Sequence, residues 1–233
     1  MTSPLTTPDV ETRARQSLGI STDAIYRAVA KALIERHPSG GTLVDVGCGV
    51  GNLWPFVTDR FAKYIGVDVV QYDGFPEAGE FTKIDLDTGR AALSDGIGDV
   101  VAGVETIEHL ENPRAFAREL NRLCRPGGWI IITTPNQLSF LSKLTLVLKN
   151  EFNAFQVGSY PAHITALLVV DLQRIAHECG WVDVAIHYTL SGRMPGTAKH
   201  LPSALSRRFP QVFSDNTILV ARKPHSGNQY GVK

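Results

Sequence analysis

A short apolar strand that runs directly into a glycine-rich turn is the feature of this sequence that most constrains its fold. The segment reads TLVDVGCGVGN over residues 42–52. Glycine adopts backbone conformations that are strained for other residues, so Gly47, Gly49 and Gly51 permit a tight turn and let a ligand approach the main chain. The pattern predicts a buried strand whose carboxyl end carries a ligand-binding turn.

Strand and helix patterns alternate along the rest of the chain. Helices are predicted at residues 21–37, with Ser21 as the cap, and at 52–60, 113–124 and 169–179. Strands are predicted at residues 43–46, 64–67, 81–84, 99–104, 129–133, 182–189 and 217–222. This alternation is typical of an α/β fold with a doubly wound, mostly parallel sheet covered by helices on both faces. The last two strands, which no clear helix separates, predict an antiparallel hairpin at the edge of the sheet.

The domain organisation follows from the same patterns. Residues 21–224 are expected to form one domain, because 233 residues match the size of a single globular unit. Residues 1–20 are expected to be a flexible N-terminal segment and residues 225–233 a disordered tail. Residues 136–165 are expected to form a helical lid insertion, since long insertions after a strand usually cover the ligand crevice.

Acidic residues fall at the predicted carboxyl ends of three strands, where ligands bind in open α/β sheets. Asp45 would repel a pyrophosphate but would attract a ligand with an ammonium and a sulfonium group, such as S-adenosylmethionine. Asp68 lies at the spacing from the first glycine at which a carboxylate accepts the hydroxyls of a ribose. Asp85 could accept from an adenine amino group. Each of these three aspartates, taken alone, is also compatible with a purely structural role in a turn.

The sequence resembles the class I S-adenosylmethionine-dependent methyltransferases from about Ser21 to Arg222. The resemblance is carried by VDVGCGVG at residues 44–51, GVD at 66–68, Asp85, and LCRPGGWII at 123–131. It implies a Rossmann-like fold with a seven-stranded sheet and one antiparallel strand. It also implies a set of residues that bind S-adenosylmethionine: Asp45, Gly47, Cys48, Gly49, Asp68, Val69, Asp85, Leu86 and Glu105.

A second motif, VETIEHL at residues 104–110, follows the fourth predicted strand. Glu105, Glu108 and His109 would share one face of a helical turn, and His163 follows inside the insertion. The pattern resembles that of ubiquinone-biosynthesis O-methyltransferases and of the enzymes that methylate the terminal ribose 2′-hydroxyl of small RNAs. This resemblance implies a metal site of Glu105, Glu108, His109 and His163, with Mg²⁺ or Mn²⁺ as candidate ions.

The same four residues admit a simpler interpretation. Glu105 would then only shape the cofactor pocket, and His109 alone would act as the general base. In either case we expect His109, Glu108 and His163 to be the catalytic residues. An aliphatic hydroxyl is a poor nucleophile at neutral pH, so a metal ion or a histidine base would serve the transfer.

Composition excludes several other classes of protein. The 23 basic and 23 acidic residues balance, so binding to nucleic acid is unlikely on electrostatic grounds. The sequence contains no apolar run of membrane-spanning length and no recognisable signal peptide. Three scattered cysteines are typical of reduced thiols. These features predict a cytoplasmic protein, a monomer or a homodimer, without a membrane partner.

The expected function is O-methyl transfer to a hydroxyl of a small molecule, first a sugar or glycoconjugate and then another secondary metabolite. The alternatives are an RNA 2′-O-methyltransferase, a quinol O-methyltransferase, and a non-catalytic S-adenosylmethionine-binding scaffold. Two regions of the sequence bear on the identity of the acceptor without deciding it. Aromatic residues of the insertion either cover the acceptor or pack elsewhere. Basic residues at 191–208 either bind a phosphate, carboxylate or uronate group or form a solvated loop.

Overall fold

The fold is a mixed sheet covered by helices, as described by a computed structural model of residues 10–17, 19–37, 39–197 and 199–225. The strands are β1 (Thr42–Val46), β2 (Lys63–Asp68), β3 (Glu80–Lys83), β4 (Gly98–Gly103), β5 (Cys124–Pro135), β6 (Val182–Tyr188) and β7 (Asn216–Arg222). The helices are α1 (Val10–Gln16), α2 (Asp23–Ile34), α3 (Pro113–Leu123), α4 (Phe140–Lys149), α5 (Val169–Glu178) and α6 (Ser203–Arg208).

The seven strands form one sheet in the order β3-β2-β1-β4-β5-β7-β6. Neighbouring strands from β3 to β5 are parallel, whereas β7 is antiparallel to both β5 and β6. The predicted fold class and the hairpin of the last two strands are confirmed. Because the strand order reverses beside β1, the carboxyl ends of β1 and β4 open a crevice, where doubly wound folds bind ligands.

Two apolar clusters cover the sheet, one on each face. Phe116 and Leu120 of α3 pack with Leu172 of α5 on one face. Val29 and Leu33 of α2 pack on the other. These residues follow the helical spacing seen in the sequence, so the periodicity correctly indicates which helix faces are buried.

Several local predictions differ from the structure. The helix predicted at residues 52–60 is only a short 3₁₀ turn, Trp54–Phe56. Ser21 does not cap α2, because Thr22 precedes the helix and the Ser21 main-chain N–H donates to the Tyr26 hydroxyl. Helix α6 lies in the stretch for which no helix was predicted.

The N-terminal segment also differs from the expectation of flexibility. Residues 10–16 form α1, and Arg13 within it is buried. Residues 1–9, and residues 226–233 of the expected tail, lie outside the described part of the chain. Within the described part, no helix has the length and apolar character needed to cross a membrane.

Candidate active site

The crevice at the carboxyl ends of β1, β2 and β4 contains a cavity of about 500 Å³, here called the first cavity. This volume lies within the range of pockets for ligands the size of a nucleoside cofactor. Gly47, Gly49 and Asp68 form part of its wall, as the sequence predicted. Val69, Leu86 and Glu105 line it as well.

The glycine turn contains backbone conformations with positive φ that residues with a Cβ atom rarely adopt. Gly49 has a φ of +53°, and a Cβ atom there would overlap the carbonyl group of Gly19. Gly47 has a φ of +77°, and a Cβ atom there would overlap the side chain of Thr106. Both positions therefore require glycine for steric as well as conformational reasons.

Asp68 holds this turn in place. One carboxylate oxygen accepts from the main-chain N–H of Gly49 at 2.8 Å, and the other accepts from Val69 at 2.7 Å and Val70 at 3.2 Å. Burial raises the pKa of Asp68, while these three donors oppose the shift. Each carboxylate oxygen has two lone pairs, so Asp68 retains acceptor capacity toward the cavity.

Three of the predicted cofactor residues do not line the first cavity: Asp45, Cys48 and Asp85. Asp45 lies behind the glycine turn, where one oxygen accepts from the Tyr64 hydroxyl at 2.9 Å. Burial raises the pKa of Asp45 to about 7. Asp85 instead accepts from its own turn, at the Asp87 main chain and the Thr88 hydroxyl. The structure therefore favours the interpretation of Asp85 as an aspartate that stabilises its own turn.

The N-terminal segment covers the first cavity. The sequence analysis did not predict this role for the segment. We call residues 10–17 and 19–22 the N-terminal strap. Its wall residues include Val10, Arg13 and Ile20. The strap is held to the cavity rim by two hydrogen bonds, from the Tyr72 hydroxyl to Ala14 O at 2.7 Å and from Val50 N to Gly19 O at 3.2 Å.

A buried ion pair fixes the strap to the body of the protein. Arg13 donates to Asp87 at 2.8 Å and to Glu111 at 2.8 Å. The Arg13 and Asp87 side chains are 5% and 7% exposed, whereas Glu111 is 61% exposed. No local pattern marks these residues in the sequence, because the partners lie 74 and 98 residues from Arg13.

The motif after β4 brings together three of the four predicted metal ligands. Glu108 and His109 lie in a short 3₁₀ turn, and His163 reaches them from the insertion. Ligand atoms of these three side chains lie within 4.8 Å of one another. We refer to Glu108, His109 and His163 as the Glu-His-His cluster.

The same ring nitrogen of each histidine, Nδ1, contacts a main-chain carbonyl. His109 Nδ1 lies 2.7 Å from the Ala162 carbonyl, and His163 Nδ1 lies 2.6 Å from the Ala154 carbonyl. Because a carbonyl only accepts, each Nδ1 carries the proton and each Nε2 keeps a lone pair. Burial, followed by the influence of His163, lowers the pKa of His109 to about 4. His109 is therefore a neutral imidazole at physiological pH.

Glu108 is the buried carboxylate of the cluster. Its residue is fully buried, and neither carboxylate oxygen has a hydrogen-bond partner among the described residues. Burial, followed by repulsion from Glu105, raises the pKa of Glu108. A buried carboxylate without donors is costly when ionised, so it must either keep its proton or face a cation.

Glu105 does not join the cluster. It has a φ of +50°, a conformation that is strained for a residue with a side chain. Its carboxylate accepts from Thr133 Oγ1 and from Asn216 Nδ2, each at 2.7 Å. Burial raises the pKa of Glu105 to about 7. These contacts direct the Glu105 carboxylate toward β5 and β7 instead of toward the histidines.

A second cavity of about 510 Å³ adjoins the first. Ser21, Thr22, Glu105 and His163 line both cavities, so these residues form the boundary between them. Several large apolar and aromatic residues of the insertion line neither cavity: Phe140, Leu141, Leu144, Leu146, Phe152, Phe155 and Tyr160. Phe140, Leu146 and Tyr160 are exposed, and Phe155 packs against His163, so these residues are not buried together against the sheet.

The comparisons with known proteins bear directly on this arrangement. A family model described as "Methyltransferase domain" matches residues 20–186. The chain belongs to this family of methyltransferase domains. The match spans the glycine turn, the motif after β4 and His163, and thereby includes most of the wall of the first cavity.

Curated relatives of this methyltransferase domain cover part of the chain. A probable S-adenosylmethionine-dependent methyltransferase from Mycolicibacterium smegmatis is 30% identical over 155 residues, 63% of this chain and 59% of the relative. The mitochondrial ubiquinone biosynthesis O-methyltransferase of Dictyostelium discoideum is 30% identical over 152 residues, which are 57% of this chain and 47% of the relative. The chain thus spans about half the length of these relatives.

A solved structure supports the fold independently. A methyltransferase from Archaeoglobus fulgidus, described as dependent on S-adenosylmethionine, aligns with a TM-score of 0.63 at 18% identity. The alignment covers 92% of this chain and all of that one. The Rossmann-like fold class and the resemblance to S-adenosylmethionine-dependent methyltransferases are confirmed.

The glycine turn allows a direct test. In Gly49→Ala the added Cβ overlaps main-chain atoms of Gly19 at a positive φ, so either the turn or the strap must move. We expect S-adenosylhomocysteine to bind about tenfold more weakly, a loss consistent with about 1–3 kcal/mol of backbone strain. Isothermal titration calorimetry measures this, with Gly158→Ala as the control, because a Cβ there meets open space. Equal affinities in both variants would contradict the steric role of Gly49.

The ion pair of the strap allows a second test. Arg13→Ala leaves Asp87 without its buried cationic partner, so the strap should detach more often from the first cavity. We expect faster amide hydrogen exchange in residues 10–17 and about tenfold weaker binding of S-adenosylhomocysteine, equivalent to about 1.4 kcal/mol. Arg15→Ala, which changes an exposed residue of the same helix, is the control. Unchanged exchange in Arg13→Ala would show that the ion pair does not hold the strap.

Proposed function

We propose that this methyltransferase domain transfers a methyl group from S-adenosylmethionine to a hydroxyl of a small molecule. The observation that carries the proposal is the boundary between the two cavities. The first cavity has the glycine turn and the acidic residue suited to a nucleoside cofactor, and the second opens on the other side of Glu105 and His163. A methyl group held at this boundary faces an acceptor held in the second cavity.

The transfer is an in-line displacement. The acceptor O–H bond breaks, a new O–CH₃ bond forms, and the C–S bond of the sulfonium breaks with its electron pair going to sulfur. The products are the methyl ether, neutral S-adenosylhomocysteine and one proton. The chain contributes by binding both reactants in line, which is a large part of the rate enhancement of such reactions. Asp68 orients the ribose, and the strap excludes water.

The Glu-His-His cluster fits a divalent cation. Glu108 offers two oxygens without donors, and each histidine offers an Nε2 lone pair fixed by a carbonyl bond at Nδ1. Backbone carbonyls commonly orient metal-binding histidines in this way. Because two of the three ligands are imidazoles, the set favours Mn²⁺, Fe²⁺ or Co²⁺ over Mg²⁺. When bound, such an ion would lower the pKa of the acceptor hydroxyl.

The low pKa of His109 also bears on the choice between ligand and base. An imidazole with a pKa of about 4 is a weak proton acceptor for an alcohol, whereas a metal ligand has to be neutral. We therefore propose His109 and Glu108 as ligands together with His163. Without a metal ion, His163 is the imidazole that reaches the acceptor, because it lines both cavities.

Glu108→Gln tests the metal site independently of activity. In the presence of chelator, the pKa of Glu108 is raised in the folded protein, so wild-type stability is highest below the unfolded pKa and falls as the pH rises above it. Gln does not titrate, so the free energy of unfolding of the variant should rise relative to that of the wild type between pH about 4.5 and the raised folded-state pKa, by at most about 1.4 kcal/mol per pH unit. Added Mn²⁺ should raise the melting temperature of the wild type but not that of Glu108→Gln.

Glu77→Gln, which removes an exposed carboxylate distant from the cluster, is the control for this experiment. It should respond to pH and Mn²⁺ as the wild type does. If Mn²⁺ raises the melting temperature of Glu108→Gln as much as that of the wild type, the cluster is not the metal site.

Binding of S-adenosylhomocysteine by calorimetry tests the proposed function itself. We expect saturable binding that weakens about tenfold in Asp68→Ala, because the ribose acceptor and the anchor of the glycine turn are lost together. Asp73→Ala, which changes an exposed aspartate, should bind normally. The absence of binding to the wild type would overturn the proposal, and binding without methyl transfer would support a scaffold.

One alternative acceptor has specific support. Several curated relatives are ubiquinone biosynthesis O-methyltransferases, among them that of Chromobacterium violaceum, which is 32% identical over 119 residues. This similarity favours a quinol as the second candidate. RNA remains a weaker candidate, since the net charge of the chain is zero.

A further inference from the structure

Most of the residues that line the second cavity are polar. Of its 21 lining residues, only Ala24, Ile25, Pro135 and Ala154 are apolar. Among the described residues, no Phe, Tyr or Trp side chain contributes to this wall. Pockets for aromatic or prenylated ligands are predominantly apolar and aromatic. The wall therefore differs from what a quinol ring with an isoprenoid chain would require.

The polar groups of this wall divide into a fixed set and an open set. Asn136 donates to the carbonyls of Gln211 and Ser214. Gln137 donates to the Pro135 carbonyl and accepts from Ser142 Oγ. These side chains have their hydrogen bonds within the protein, so they shape the cavity instead of offering it free donors.

The open set consists of Asn153, Ser159 and Ser191. Asn153 uses its side-chain oxygen to accept from Gln156, but its Nδ2 makes no hydrogen bond to another described group. The hydroxyls of Ser159 and Ser191 also line the cavity without donating to another described group. These donors and acceptors are small, neutral and distributed around the wall, which suits a ligand that carries several hydroxyls.

The charges on the wall argue against an anionic acceptor. Arg193 is neutralised by Asp215, to which its Nε and main-chain N–H donate at 3.2 and 3.1 Å. Of the other basic side chains expected to bind an anion, His200 lines the cavity, whereas Lys199, Arg207 and Arg208 do not. The remaining acidic wall residue, Glu105, accepts hydrogen bonds from Thr133 and Asn216. Among the described wall residues, a phosphate or uronate group would therefore meet no lysine or arginine side chain that lacks a carboxylate partner.

We propose that the second cavity seats an uncharged, polyhydroxylated acceptor, such as the sugar ring of a neutral glycoside. Asn153, Ser159 and Ser191 bind its hydroxyls, and the Arg193–Asp215 pair excludes anionic groups. The proposal rests on the proposed function, because it presumes that the acceptor faces the methyl donor across the boundary at Glu105 and His163. It adds the chemical class of that acceptor and the residues that select it.

Saturation-transfer NMR on the full chain loaded with S-adenosylhomocysteine tests the proposal. Three probes are compared at equal concentration: methyl β-D-glucopyranoside, glucuronate and methylhydroquinone. We expect binding of the glucoside and at least about fivefold weaker binding of the other two, a difference of about 1 kcal/mol. Tighter binding of glucuronate or methylhydroquinone than of the glucoside, or no binding of any probe, would overturn the proposal.

Two variants locate the binding in the second cavity. Asn153→Leu removes the free amide at similar volume and should weaken glucoside binding about fivefold, which is the effect expected for a lost neutral hydrogen bond. Its affinity for S-adenosylhomocysteine and its melting temperature should stay unchanged. Gln173→Leu, on the exposed face of α5, is the matched control and should bind the glucoside normally. Equal glucoside binding in both variants would contradict the assignment.

Asp215→Asn tests the charge argument. The variant keeps the shape of the side chain but leaves the Arg193 guanidinium without a counter-charge, so glucuronate should now bind about as well as the glucoside. Continued rejection of glucuronate would show that the ion pair does not set the selectivity. Loss of S-adenosylhomocysteine binding by the wild type would count against the proposed function itself and is measured separately before the probes are added.

Discussion

The hydrogen bond that the Gly49 main-chain N–H donates to the Asp68 carboxylate is the interaction on which the rest of the site depends. It joins the carboxyl end of β2 to the turn that follows β1. The glycine turn places Gly49 against Gly19, and this contact holds the N-terminal strap over the first cavity. One carboxylate therefore determines both the floor and the cover of the ligand site.

The strands of the sheet could be predicted because the sequence patterns that indicate them are local. Strands β1 and β2 are short apolar runs, and their predicted ranges agree with the structure within a residue at each end. The helix predicted after β1 was wrong for a different reason. The chain between β1 and β2 is short and has to form the glycine turn, and this leaves room only for the 3₁₀ turn at Trp54–Phe56.

The site was less predictable because its decisive contacts join distant residues. The motif indicated Glu108 and His109, and His163 was identified by chemistry in the insertion. Glu105 was assigned to the same cluster because it shares their spacing. The structure gives it another set of partners, Thr133 and Asn216, and Asn216 lies on the antiparallel strand β7. No pattern within the motif could indicate a partner 111 residues away.

The strap also couples the two cavities. It lines the first cavity, and its residues Ser21 and Thr22 are part of the wall of the second. Movement of the strap away from the sheet would widen the first cavity and at the same time remove part of the wall of the second. The shape of either cavity therefore depends on the position of the same short segment of the chain.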